Sequence, residues 1–135
     1  MSAAPLPVLV TGLRRSGTTA LWRALAHGAA FAFDEPFHPR LWDGARQNHK
    51  GTWTNLDALW REGPGDLVPG VRPIAPLDEL SPAVDPAQAA YLAALLGRPG
   101  PVVVDVVRCW NKMAALAPAL PPVLVVQLVR SPVSF

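Results

Sequence analysis

Gly12-Leu13-Arg14-Arg15-Ser16-Gly17-Thr18-Thr19 is the stretch on which the reading of this chain turns. Before it runs Pro5-Leu6-Pro7-Val8-Leu9-Val10-Thr11, uncharged and rich in β-branched residues, the pattern of a short buried strand. After it, Thr18 to His27 carries helical spacing. Leu21 and Leu25 fall on one face with Ala24 beside them, Arg23 points elsewhere, and Gly28 follows as a stop. A strand that passes through a glycine-bracketed loop into a helix is suited to anions. The glycines let the backbone wrap the ligand, and the helix start adds free N–H groups and the positive end of its dipole.

Outward from this stretch, Ala29 to Phe33 predicts a second strand. Residues 34–86 are rich in Pro, Gly and Trp, with at most one short helix around Asn55 to Arg61, and read as an irregular insertion or substrate loop. Helical spacing returns from Pro86 to Leu96, with Asp85 as cap and Pro86 in the first helical position. Val102 to Val107 predicts a strand, Asn111 to Leu116 a short helix, and Val123 to Val129 another strand. Continuous apolar strands alternating with helices predict an α/β fold, a three-layer αβα arrangement around a parallel sheet. The strand before Gly12 and the strand ending at Val129 are expected close together, opening on one sheet edge. Residues 1–135 read as a single domain. Ser131-Pro132 announces a helix with only three residues to follow, so the domain is expected to be truncated at its C-terminal end and inactive alone.

Composition narrows the function classes. Half of the 135 residues are hydrophobic and 16% are charged, which excludes a disordered, charge-solvated chain. Twelve basic and ten acidic side chains leave +2, too little for a non-specific nucleic-acid binder. Most of the cations are Arg, whose planar fork pairs with phosphate or sulfate, although a GC-rich genome gives the same bias. The single Cys109 excludes an internal disulfide framework and fits a reducing compartment. No positive charge precedes the first apolar stretch, and Val123 to Val129 is far too short to span a bilayer. The expected setting is the cytoplasm, without membrane or nucleic-acid partners.

The spacing G-x-x-x-x-G-T-T stands one letter from the phosphate-loop pattern G-x-x-x-x-G-K-[ST], with Thr18 in place of the Lys and a cation at Arg15. Arg15-Ser16-Gly17-Thr18-Thr19 resembles the 5′-phosphosulfate loop of sulfotransferases that use 3′-phosphoadenosine 5′-phosphosulfate. Phe33-Asp34-Glu35-Pro36-Phe37 is similar to a Glu-Pro pair near the active centre of carbohydrate-type members. Val125-Val126-Gln127-Leu128-Val129-Arg130-Ser131-Pro132 resembles the family's second signature, with Ser131 where Asp is usual. The resemblance covers both ends of the chain; the middle matches only in layout. It implies a P-loop NTPase-like sulfotransferase fold, with Arg15 on the bridging oxygen of the leaving group. Ser16, Gly17, Thr18 and Thr19 would bind the 5′-phosphate and Arg130 the 3′-phosphate, while the family's partner Ser lies beyond Phe135. The implied donor is 3′-phosphoadenosine 5′-phosphosulfate, the acceptor a small or carbohydrate-like hydroxyl or amine, and no metal is required.

Each residue also has a plainer reading. Gly-Thr-Thr before a helix can be an ordinary cap, Arg14 a solvated neighbour, and Arg130 a surface ion-pair partner. Glu35 is expected as general base ahead of His38, but a carboxylate there also closes a turn before Pro36. Arg108, ending the preceding strand, is placed in the same cleft. The five Trp residues and Cys109 are expected in the core rather than at a site. Two rival functions stay open. One is a P-loop kinase or nucleotidase, which wants a Lys at position 18 and a metal-holding acid at a strand tip; Asp105, inside Val102 to Val107, is not expected there. The other is an inactive phosphoadenosine-binding remnant.

Overall fold

The computed structural model describes residues 3–14, 16–39 and 76–131. Strands β1 (Val8–Gly12), β2 (Phe31–Asp34), β3 (Val102–Asp105) and β4 (Leu124–Leu128) form one sheet in the order β2-β3-β1-β4. Every pairing is parallel: β2 runs beside β3 up to Asp34↔Asp105, and β1 beside β3 up to Val10↔Asp105. β1 also runs beside β4 from Val8↔Leu124 to Gly12↔Leu128, the neighbourhood expected from the sequence. The helices are α1 (Thr18–Ala26), α2 (Pro86–Leu96) and α3 (Met113–Leu116).

The strands are apolar on both sides because each face meets its own core. Leu9, Phe33, Val102 and Val104 pack on one face with Tyr91, Leu92, Leu95 and Leu96 of α2. Val10 and Val103 pack on the other with Trp22 of α1. Helices on opposite faces are compatible with an αβα layout. β4 lies at the sheet edge with Leu124 53% exposed, so its apolar run has less cover than those of β1 and β3. No helix among the described residues is long and apolar enough to cross a membrane.

Local chemistry explains most boundaries. α2 begins where expected: the Asp85 carboxylate accepts from the Ala87 N–H at 2.8 Å, and the Gln88 amide oxygen accepts from the Asp85 N–H at 2.9 Å. The Gln88 amide also donates to the Pro76 carbonyl at 3.1 Å, tying the returning chain to the helix.

Several expectations need correction. α1 buries Thr18 and Trp22, with Leu21 half-buried, while Leu25 is 37% exposed. The bulky Trp22 sets the inward face, so the stripe lies about 60°, roughly a sixth of a turn, from a Leu21–Leu25 axis. β3 ends at Asp105 rather than Val107. Val106 still donates to the Val10 carbonyl at 2.9 Å, but its own carbonyl accepts from Thr11 Oγ1 at 2.9 Å and the chain coils through Val107–Cys109. Asp105 therefore stands at a strand tip, and Arg108 lies in the turn beyond it. Trp110 is 38% exposed rather than in the core. Asp34 and Pro86, the two bounds of the expected insertion, belong to β2 and α2, and its residues 40–75 lie outside the described residues. Its expected short helix, Trp42, Trp53 and Trp60, and the helix announced at Pro132 lie outside the described residues.

Candidate functional site

The loop after β1 takes its shape from its two glycines. A Cβ on Gly12 would lie 2.8 Å from the Leu128 carbonyl and 2.7 Å from Ser16 Oγ, so only glycine lets the loop fold back against β4. Gly17 has φ +99° and caps α1, with no side chain closing the helix start. Gly-Thr-Thr is thus an N-terminal cap, as its plainer reading has it, and the first-turn N–H groups have no side-chain cap. Ser16 Oγ is buried and has no hydrogen-bond partner among the described residues. An anion in this loop would supply one. Arg15 lies outside the described residues.

A cleft of about 980 Å³ opens at the carboxyl ends of the strands. Its lining includes Gly17, Thr18 and Thr19 from the loop, Glu35 and His38 from beyond β2, and Arg130 from beyond β4. Three separate stretches singled out in the sequence thus meet on one sheet edge. Arg14, Arg23 and Arg108 also face it, so among the described lining residues arginines outnumber the one carboxylate, Glu35.

Glu35 is held in place by several contacts. It is 6% exposed, with φ +48°, an uncommon conformation for a residue with a side chain. Its N–H donates to the Asp105 carbonyl at 2.8 Å and its own carbonyl accepts from the His38 N–H at 2.9 Å. One carboxylate oxygen accepts from Arg108 Nη1 at 2.8 Å and the other from the Val107 N–H at 3.2 Å. Behind it, the Tyr91 hydroxyl donates to the Pro36 carbonyl at 3.3 Å, and Phe37 packs edge-on against the Tyr91 ring. The turn from Glu35 to His38, which contains Pro36, is closed by the Glu35 backbone carbonyl and not by its carboxylate, which lines the cleft.

Glu79 escaped the sequence reading. It lies in the Pro-rich middle, where no periodicity or spacing marks a site residue. Its Oε1 pairs with Arg14 and lies 3.1 Å from Arg108 Nε. Arg14, Glu79, Arg108 and Glu35 therefore form one alternating chain of charge. Arg14 is not merely solvated: its hydrogen bond holds the Glu79 carboxyl below its ordinary value of 4.5. Cys109 is fully buried, its Sγ 3.2 Å from the Val106 carbonyl and 3.4 Å from Thr11 Oγ1, and burial pushes its thiol up to about 12. It is a core residue, as expected.

Asp34 and Asp105 stand side by side at the tips of β2 and β3, both buried. Among the described residues, no group of three or more His, Cys, Asp or Glu is placed to hold a metal ion. In comparison with known proteins, the chain matches no family model, no curated protein and no solved structure.

Proposed function

We propose that this chain transfers a sulfuryl group from 3′-phosphoadenosine 5′-phosphosulfate to an acceptor hydroxyl or amine. The observation that carries the reading is the meeting of the glycine loop, Glu35 and Arg130 around one arginine-rich cleft. Ser16, Gly17, Thr18 and Thr19 would hold the 5′-phosphate through backbone and hydroxyl donors, and Arg130 the 3′-phosphate. The Ser16 hydroxyl and the open start of α1 fit that group.

In the reaction the acceptor oxygen or nitrogen forms a bond to sulfur while the sulfur–oxygen bond to the 5′-phosphate breaks. The electron pair stays on the departing phosphate oxygen. Arg15 is assigned there by its place in the loop, since a fixed cation stabilises growing charge more than the ground state. The acceptor's proton passes to Glu35, ahead of His38. Both Glu35 oxygens already accept one hydrogen bond, so the proton must use a second lone pair. Arg108 acts through Glu35 as a positioning residue.

A second reading has one observation in its favour. Asp105 stands at a strand tip beside Asp34, where a kinase or nucleotidase keeps its metal-holding acid. Thr18 still occupies the place of the Lys that such enzymes use. Titration calorimetry separates the two. Saturable binding of adenosine 3′,5′-bisphosphate in the presence of a magnesium chelator supports sulfuryl transfer. Binding of ATP that depends on magnesium, without binding of the bisphosphate, supports the kinase.

A further inference from the structure

Arg108 lines the cleft yet is only 7% exposed, so its charge depends on partners within the protein. A guanidinium fork frequently grips a single carboxylate through two parallel N–H donors. Here the fork is split. Nη1 donates to one Glu35 oxygen at 2.8 Å, while Nε lies 3.1 Å from Glu79 Oε1. The other Glu35 oxygen takes its hydrogen bond from the Val107 N–H and not from Arg108. Two carboxylates therefore share one buried cation.

Glu79 is fixed through its backbone as well as its side chain. Its carbonyl accepts from the Asn111 amide at 3.2 Å, and the Ser81 carbonyl beyond it accepts from the Lys112 ammonium. Lys112 is fully buried and also donates to Asn111 Oδ1 at 3.0 Å, so both anchors belong to one network. The carboxylate is oriented by Arg14, whose Nε donates to Oε1 at 3.0 Å. The bond to Arg14, with lesser help from the charges of Arg108 and Lys112, holds the Glu79 carboxyl below its ordinary value of 4.5. Glu79 is therefore charged at neutral pH.

We propose that Glu79 is a positioning residue for the base: by holding part of Arg108 it keeps Glu35 ready to take a proton, and Arg14 of the glycine loop sets how firmly it does so. The role in proton transfer rests on the proposed reaction; the relay Arg14–Glu79–Arg108–Glu35 does not. A carboxylate gripped by a whole guanidinium fork is a poor base, because the cation favours its charged form. A second carboxylate on the same fork offsets that pull. Removing Glu79 leaves Arg108 to Glu35 alone and weakens the base. Removing Arg14 lets Glu79 lean wholly on Arg108 and strengthens it. Other titratable or charged groups near Glu35 stay in place in these variants: Asp34 and Asp105 at the strand tips, His38 in its own turn, Arg23 and Arg130 in the cleft lining, and the buried Cys109.

The test follows the Glu35 carboxyl across pH by carboxyl-carbon NMR of the full chain, with Glu35→Gln marking its resonance. In Glu79→Gln the acid dissociation constant of Glu35 should rise on the order of tenfold, the scale of one close charge. In Arg14→Gln it should fall. Arg14 also acts on Glu35 through space, so the double variant decides between field and relay. Without Glu79 the relay has no middle, and Arg14→Gln should lose most of its effect. The Arg14 side chain is 63% exposed, so its variant keeps the test readable if Glu79→Gln unfolds. A Glu35 titration unmoved by either single variant, or moved by Arg14→Gln equally with and without Glu79, overturns the proposal. Opposite shifts that depend on Glu79, in a chain that ignores adenosine 3′,5′-bisphosphate, support the relay and remove the sulfuryl-transfer reading.

Discussion

At the scale of single residues, the two loop glycines do different work, and substitution should separate them. Gly17 has open space around it and a positive φ, so Gly17→Ala should cost only conformational strain, about 1–2 kcal/mol. Gly12→Ala places a methyl against the Leu128 carbonyl, a backbone atom that cannot swing away, and should push β1 from β4. Its cost should be about 1–3 kcal/mol, as for other overpacked sites. Thermal denaturation of both, alongside an anion-binding assay, checks the pair: Gly12→Ala is the one expected to alter the sheet. Cys109 gives a third expectation. With its thiol pushed up to about 12, it should resist iodoacetamide in the folded protein at neutral pH and react only after denaturation. Rapid native-state labelling seen by mass spectrometry would show that it is not buried as described. Both glycines could be read from the sequence because their spacing is the signal. Glu79 could not, since its role depends on a long loop folding back onto Arg14 and Arg108.

At the scale of elements, α2 is the support for Glu35, because its Tyr91 holds the Pro36 carbonyl. The Asp85 cap should matter accordingly: Asp85→Ala should cost about 1 kcal/mol and lower the melting temperature by about 3–5 °C. α2 was legible to the residue because cap, proline and apolar spacing all agree. The end of β3 was not. A valine run carries no mark of where the hydrogen-bond ladder stops, and here it stops because Thr11 and Cys109 engage the Val106 carbonyl instead. The inward face of α1 departs from the leucine spacing because the bulk of Trp22 sets which side packs on the sheet. Glu35→Gln belongs at this scale too. It should lower turnover if Glu35 is the base, but it also weakens a charge-assisted bond to Arg108, a loss of roughly 1.5–3 kcal/mol. Turnover must therefore be compared with His38→Ala at a temperature where both variants are folded. An active Glu35→Gln beside an inactive His38→Ala would move the base to His38.

Across the whole molecule, the alternating chain Arg14–Glu79–Arg108–Glu35 joins the glycine loop, the returning middle segment and the turns after β2 and β3. Arg14 lowers the Glu79 carboxyl, so protons bind Glu79 more readily in the unfolded chain than in the folded one. The stability it adds is fully present above its ordinary value of 4.5 and is lost as pH falls through the lowered folded value. Unfolding of the protein and of Glu79→Gln, followed across pH, should show a gap that is full above pH 4.5 and closes in acid. A gap independent of pH would mean that Glu79 acts by packing rather than by charge. The central claim remains that the cleft at the carboxyl edge of the sheet receives the phosphates of a phosphoadenosine. Backbone-amide NMR shift mapping of the labelled chain, titrated with adenosine 3′,5′-bisphosphate in a magnesium chelator, tests it most directly. Saturable shifts centred on Gly17, Thr18, Thr19 and Arg130 are predicted; saturation without change at those amides, or shifts centred on the far edge of the sheet, would contradict it.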